Sequence, residues 1–134
     1  MATWADVRRI ALALPGVTER TSGHSGTPQW RVRDQLFIWD RPLHKTDVKA
    51  LEALGEPVPD GPLLAARVPH LEAKEALLAA DGDVFFSIPH FDGYLAVLAH
   101  LEKITVDDLE EYIVEAWLCR APKRLVKEYL DSVK

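Results

Sequence analysis

The chain has 134 residues, of which 48% are hydrophobic and 28% are charged, and its formal net charge is −5. This composition is typical of a globular protein and excludes a disordered chain, and no apolar run approaches the roughly 20 residues that span a bilayer. The acidic balance argues against a protein that attracts polyanions through an overall excess of positive charge.

The length fits one domain, residues 1–134. The single cysteine, Cys119, cannot form an internal disulfide, and the N-terminus MATWADVRRI has no apolar signal core. We therefore expect a cytoplasmic protein with no membrane partner.

The spacing of apolar residues predicts alternating helices and strands along the chain. In order, the predicted elements are helix 3–14, strands 29–32 and 35–39, helix 46–54, strand 63–68, helix 71–80, strands 84–88 and 94–101, a helix from 105, and helix 122–133. Thr3, Thr46 and Thr105 are the predicted N-caps of the first, second and fourth helices. Residues 21–28 are rich in Gly and Ser, which indicates a strand end and an exposed loop.

The segment VFFSIPHFDGYLAVLAHL, residues 84–101, is the most informative part of the sequence. Two apolar runs flank a turn at Pro89–Gly93, which predicts an antiparallel hairpin. A second strand pair flanks the turn at Arg33 and Asp34. Together these patterns predict an α+β fold, with a single antiparallel sheet and helices packed on one face.

Groups with catalytic or metal-binding potential lack the spacing that such chemistry requires. The histidines form no metal-binding pair; they are His24, His44, His70, His90 and His100. Ser22, His24 and Ser25 lie close together but outside any nucleophile-elbow sequence. Cys119 lies near Arg120 and Lys123, which could lower its pKa, but its place at the end of an apolar stripe is typical of a small core residue. We expect no catalytic residue, cofactor or metal ion, and hence a non-enzymatic protein.

Positive charge is concentrated in two segments, residues 18–45 and 118–134, which an acidic stretch separates. Arginines on a hairpin can contact phosphates, and basic residues that recur along one helical face can do the same. From charge alone, two solvated faces explain these residues better, because the whole chain is acidic. The candidate nucleic-acid-binding residues are Arg20, Arg31, Arg33, Arg41, Lys45, Arg120, Lys123 and Lys127.

The sequence resembles the MmcQ/YjbR family in segments that cover most of the chain. These are ALALPGVTE at 11–19, the strand that contains Trp30, LFIWDRPL at 36–43, IPHFDGYLAVLAHL at 88–101 and TVDDLEEYIVEAWLCRAPKRLV at 105–126. The resemblance implies a fold similar to frataxin-like CyaY proteins and DNA binding through a "double wing" of β-hairpins, without established enzymatic chemistry. The wings would be the hairpin at Arg33-Asp34 and the turn from His90 to Gly93. We therefore expect weak DNA binding through the basic residues named above.

Two alternatives to DNA binding stay open. The first is a module that binds another protein or a small ligand on the open face of the sheet, where stacking surface would come from Trp30, Trp39, Phe91 and Tyr94. The second follows from the likeness to frataxin, which suggests iron binding by the acidic helix through Asp107, Asp108, Glu111 and Glu115.

Overall fold

A computed structural model describes residues 2–23 and 26–133. In this part of the chain, six strands form one sheet in the order β1-β2-β3-β4-β6-β5, and all neighbouring strands are antiparallel. The strands are β1 (Val17–Thr21), β2 (Pro28–Val32), β3 (Gln35–Asp40), β4 (Leu63–Arg67), β5 (Phe85–Phe86) and β6 (Ala96–His100). The helices are α1 (Trp4–Leu12), α2 (Lys45–Ala53), α3 (Leu71–Ala80), α4 (Val106–Arg120) and α5 (Lys123–Ser132), with a 3₁₀ turn at Pro89–Phe91. The predicted α+β class with a single antiparallel sheet is confirmed.

The predicted caps of α1 and α4 are confirmed, and the cap of α2 is corrected. The Asp6 backbone N–H donates to Thr3 Oγ1 at 3.3 Å, and the Asp108 N–H donates to Thr105 Oγ1 at 3.1 Å. Helix α2 is capped at His44, two residues before the predicted Thr46, because the Asp47 carboxylate accepts the His44 backbone N–H at 2.8 Å. The aspartate therefore sets the start of this helix.

The sequence analysis did not predict strand β1 and placed only a strand end and a loop at residues 21–28. Its composition, VTERT, is polar because only Val17 and Glu19 face the helices, and Glu19 makes polar contacts there. Glu19 Oε1 accepts a hydrogen bond from the Trp30 indole N–H at 2.9 Å, and Arg8 donates to the same carboxylate. A partly buried glutamate that is hydrogen-bonded to Arg8 and Trp30 thus replaces the apolar residue expected on the inner face of a strand.

The segment 84–101 forms an antiparallel pair, as predicted, but with shorter strands and a structured connection. Strand β5 is reduced to two residues, and the link to β6 contains the 3₁₀ turn. Phe91 in this turn is 2% exposed and packs in the core. The connection is therefore a 3₁₀ turn that buries Phe91, and not the simple hairpin turn that the glycine and proline suggested.

The sheet has a helix-covered face and a second face that is partly covered. On the first face, Leu64 and Ala66 pack with residues of α1, α4 and α5, and Leu77 of α3 lies at the edge of the same core. On the second face, Leu63 and Ala65 pack with Leu51 of α2 and with the 3₁₀ turn. The helices on one face are thus as expected, and α2 adds a small layer on the other face.

The strand register defines two ends of the sheet. The tight turn at Arg33 and Asp34 joins β2 to β3 at one end, which we call the turn end. At the opposite end, Asp40 pairs with Leu64, and Leu63 pairs with His100. A six-residue strand such as β3 extends for about 20 Å, so groups at the two ends are well separated. Within the described ranges, no helix is both long and apolar enough to cross a membrane.

Candidate functional site

The turn between β2 and β3 gathers two arginines around one aspartate. Arg33 and Asp34 both have positive φ angles, 50° and 66°, as a two-residue type I′ turn requires. Asp34 Oδ1 accepts a hydrogen bond from Arg20 Nη2 at 2.5 Å, and the Asp34 carbonyl accepts one from Arg31 Nη1 at 3.0 Å. Arg20 and Arg31 thus lie on the second face beside the turn, and the Asp34 carboxylate neutralises part of the Arg20 charge.

The junction between α4 and α5 lies against the same turn end. Arg120, the last residue of α4, donates from Nη2 to the side-chain oxygen of Gln35, the first residue of β3. Leu125 of α5 lies so close to Gly16 that a Cβ on this glycine would be 2.8 Å from Leu125 Cδ1, and Gly16 also has a φ of +72°. The Arg33 side chain borders the same glycine. The two basic segments, which are distant in sequence, therefore converge at the turn end.

Six of the eight predicted basic residues belong to this convergence, which we call the basic end: Arg20, Arg31, Arg33, Arg120, Lys123 and Lys127. Arg33, Lys123 and Lys127 are exposed, and Arg124, which the sequence analysis did not select, is exposed beside Lys123. Lys127 lies one helical turn further along α5. Acidic neighbours are present too, since Glu128 and Asp131 follow on the same helix. The basic end is a local patch of positive charge on an acidic protein.

Arg41 and Lys45 lie away from the basic end. They follow β3, and therefore lie at the end of the sheet opposite the turn. Arg41 is 7% exposed, donates to Asp47 Oδ2 at 2.9 Å, and lies 5.6 Å from the centre of the Phe91 ring. Burial raises the pKa of Asp47, but the His44 N–H and the Arg41 guanidinium outweigh it and hold that pKa below its usual value. Arg41 thus has a structural role, and Lys45 is an exposed residue of α2.

The turn from His90 to Gly93, the second expected wing, is held against the protein. The buried Lys74 of α3 donates from Nζ to the carbonyl oxygens of Phe91 at 2.6 Å and Tyr94 at 2.7 Å. Sequence analysis missed Lys74, and the available signal was a single lysine in the alanine- and leucine-rich segment of α3. The segment is therefore anchored to the protein and does not project from it as a wing would.

The four aromatic residues of the first alternative do not share one surface. Trp30 is 1% exposed and belongs to the core under α1 and α4, where it stacks on Trp4. Phe91 is buried on the opposite face between Trp39 and Tyr94, with ring centroids 6.4 Å and 5.3 Å away. Tyr94 is the most exposed of the set, at 39%. The rings therefore contribute mainly to packing.

The acidic helix gives no support to the iron alternative. Asp108, Glu111 and Glu115 line a groove between α3 and α4 together with apolar residues. Across residues 2–23 and 26–133, no three His, Cys, Asp or Glu side chains are grouped closely enough to hold a metal ion.

The candidate nucleophiles show no activating arrangement. Burial raises the pKa of the Cys119 thiol, and the charges of Arg120 and Arg67 oppose that rise only in part. Cys119 is only partly buried, and its raised pKa disfavours the reactive thiolate. His24 and Ser25 lie outside the described residues, and so the loop group that they form with Ser22 is not described.

Comparison with known proteins establishes the family to which this chain belongs. The chain matches the family model described as YjbR over residues 12–119, and it belongs to that family. It is 48% identical over 132 residues to "Uncharacterized protein Rv2570" of Mycobacterium tuberculosis (strain ATCC 25618 / H37Rv) and to "Uncharacterized protein Mb2600" of Mycobacterium bovis, with 98% of each chain covered. No solved structure matches the chain significantly, so the likeness to CyaY stays a prediction.

Proposed function

We propose that this YjbR-family protein is a non-enzymatic, cytoplasmic protein that binds DNA weakly through backbone phosphates at its basic end. One observation carries the proposal. The contact between Arg120 and Gln35 brings the start of α5 to the turn that holds Arg31 and Arg33. Arginine and lysine side chains on one convex end can follow a phosphate backbone without reading bases. The proposal treats residues 1–134 as one domain.

The expected affinity is low because the positive patch is small and partly neutralised. Arg20 is paired with Asp34, and Arg31 already donates to Gln29 and to the turn. Far from the basic end, the net charge of −5 determines the electrostatic field, and this field repels DNA. Binding should therefore be strongest at low ionic strength and should show little sequence preference.

Electrophoretic mobility shifts on a duplex across a salt series test the proposal. Arg33→Ala combined with Lys123→Ala removes two exposed cations whose side chains form no hydrogen bond or ion pair with the described residues, so folding should be preserved. Because each phosphate contact contributes about 0.9 to the slope of log K against log salt, the double variant should flatten the slope by up to about 1.8.

The matched control is Lys45→Ala combined with Lys49→Ala, which removes the same charge from exposed positions on α2. This variant should keep the slope of the unmodified protein. An equal loss in both variants would mean that net charge alone governs binding, and absence of any shift at low salt would refute DNA binding.

A further inference from the structure

A sizeable cleft lies far from the basic end. It has a volume of about 780 Å³, within the range of small-molecule sites. Its walls come from the end of α2 and the following loop, from residues 82–92, and from the end of β6. The register places it at the end of the sheet opposite the turn, since His100 pairs with Leu63. We call it the acidic cleft, for the reason that follows.

Carboxylates dominate the charged lining of this cleft. Lys103 is the one lysine or arginine in the lining, whereas the acidic residues are Glu56, Asp60, Asp83, Asp92 and Glu102. All five are exposed, and within the described ranges none of them forms an ion pair. The rim therefore carries an excess of negative charge, which Lys103 offsets only in part.

The interior of the cleft is apolar and aromatic. Leu51 and Ile88 are buried at its base, and Leu54 and Val58 lie beside it with 65% and 42% of their surface exposed. The Phe86 ring stacks on the His100 imidazole, with ring centroids 4.6 Å apart. Burial, together with Lys103, lowers the pKa of His100, which keeps this ring neutral near pH 7. The interior thus offers apolar surface and adds no positive charge.

Two polar groups of the wall differ in their access to the cleft. The Ser87 hydroxyl oxygen is buried and has no hydrogen-bond partner in the described part of the chain. Glu102 Oε1 lies 2.8 Å from where a Cβ on Gly61 would stand, so the glycine makes room for this carboxylate. The Ser87 oxygen is shielded from the cleft, so of these two groups only the exposed Glu102 carboxylate is open to a bound N–H donor.

We propose that the acidic cleft binds a small organic cation, an ammonium or guanidinium group carried on an aliphatic body. The carboxylate rim would neutralise the charge, and the aliphatic body would lie on the apolar base and the Phe86 ring. An organic cation fits better than a metal ion, because no group of three metal-ligating side chains lies together in the described ranges.

Calorimetric titration with 1,5-diaminopentane at low salt, followed by NMR mapping of the shifted backbone amides, tests the proposal. The neutral analogue 1,5-pentanediol has the same chain length without the charges. The diamine should bind and shift amides around residues 56–62, 83–88 and 100–103, and the diol should not. Asp60→Asn combined with Glu102→Gln should weaken diamine binding by about tenfold or more.

The control is Glu72→Gln combined with Glu110→Gln, which removes the same charge from exposed positions outside the cleft. It should change the diamine affinity by less than about twofold. Equal losses in the two double variants would show diffuse attraction to an acidic protein and would overturn the proposal. Equal binding of the diol, shifts that map elsewhere, or absence of heat would overturn it as well.

Discussion

Arg41 and Asp47 show how one buried ion pair connects a strand, a helix and a loop. Their side chains are 9% and 3% exposed, and the Asp47 carboxylate also accepts the His44 N–H that starts α2. The Arg41 guanidinium lies over the Phe91 ring in the interior of the second face, where neither a base nor a phosphate can reach it. Removing one member of such a pair leaves the other charged, buried and unpaired.

We predict that Asp47→Ala lowers the free energy of unfolding by about 3 kcal/mol, because it leaves the Arg41 charge buried and unpaired and removes the cap of α2. Glu52→Ala, an exposed substitution on the same helix, should change it by less than about 0.5 kcal/mol. Urea denaturation measures both values. A similar small effect for the two variants would show that the pair contributes little.

Elements α3 and β6 owe their relative position in part to Lys74. This lysine donates hydrogen bonds to two carbonyl oxygens of the 91–94 segment. Burial lowers the pKa of Lys74, and the negative charge of Asp92 opposes that shift. The buried Phe91 then holds the segment against Trp39. The family segment IPHFDGY therefore has a structural explanation, in which a lysine from another element fixes its backbone.

Replacing Lys74 by Ala should lower the free energy of unfolding by about 2 to 3 kcal/mol, since two hydrogen bonds from a charged donor to the Phe91 and Tyr94 carbonyls are lost. Hydrogen exchange should accelerate at the Tyr94 amide, which donates to the Phe91 carbonyl, more than in β4. Lys103→Ala, at an exposed position, serves as the control. Unchanged exchange at Tyr94 would contradict the anchoring role.

At the scale of the whole molecule, charge is segregated between the two ends of the sheet. The basic end gathers arginines and lysines from β1, β2, α4 and α5, and the acidic cleft lies at the opposite end. The molecule therefore presents opposite local fields to polyanions and to organic cations, although its net charge is −5. The two proposed activities are independent, because their sites share no residue.

Stability of the whole fold should fall in acid. The pKa values of Asp6, Glu19 and Asp47 are all lowered in the folded protein, chiefly by hydrogen bonds for the first two and against the effect of burial for the third. The unfolded chain then binds more protons as the pH falls, so the stabilisation is present above the ordinary pKa of about 4 and is lost below it.

Thermal unfolding followed from pH 6 to pH 2 should therefore show a falling midpoint, and Asp47→Asn should reduce the dependence on pH. A midpoint that stays constant over this range would contradict the assigned hydrogen bonds. Asp40, whose pKa burial raises, contributes in the opposite direction and should moderate the effect.

Local patterns in the sequence were sufficient for much of the architecture. Helix α3 spans the predicted residues 71–80, and the caps at Thr3 and Thr105 are where the sequence placed them, because capping depends on residues three positions apart. The strand pair at Arg33-Asp34 and the sheet class were predictable because alternating apolar residues and a two-residue turn are also local signals. The family was recognisable from contiguous segments.

Only the tertiary structure decided which charges act together. Arg41 and Arg31 have the same chemistry and lie in neighbouring segments, yet one is buried against Asp47 and the other lies beside the turn. The same holds for Lys74 and for the acidic cleft, whose residues come from segments up to about fifty positions apart. Burial and partners depend on contacts between distant segments, and no local spacing encodes those contacts.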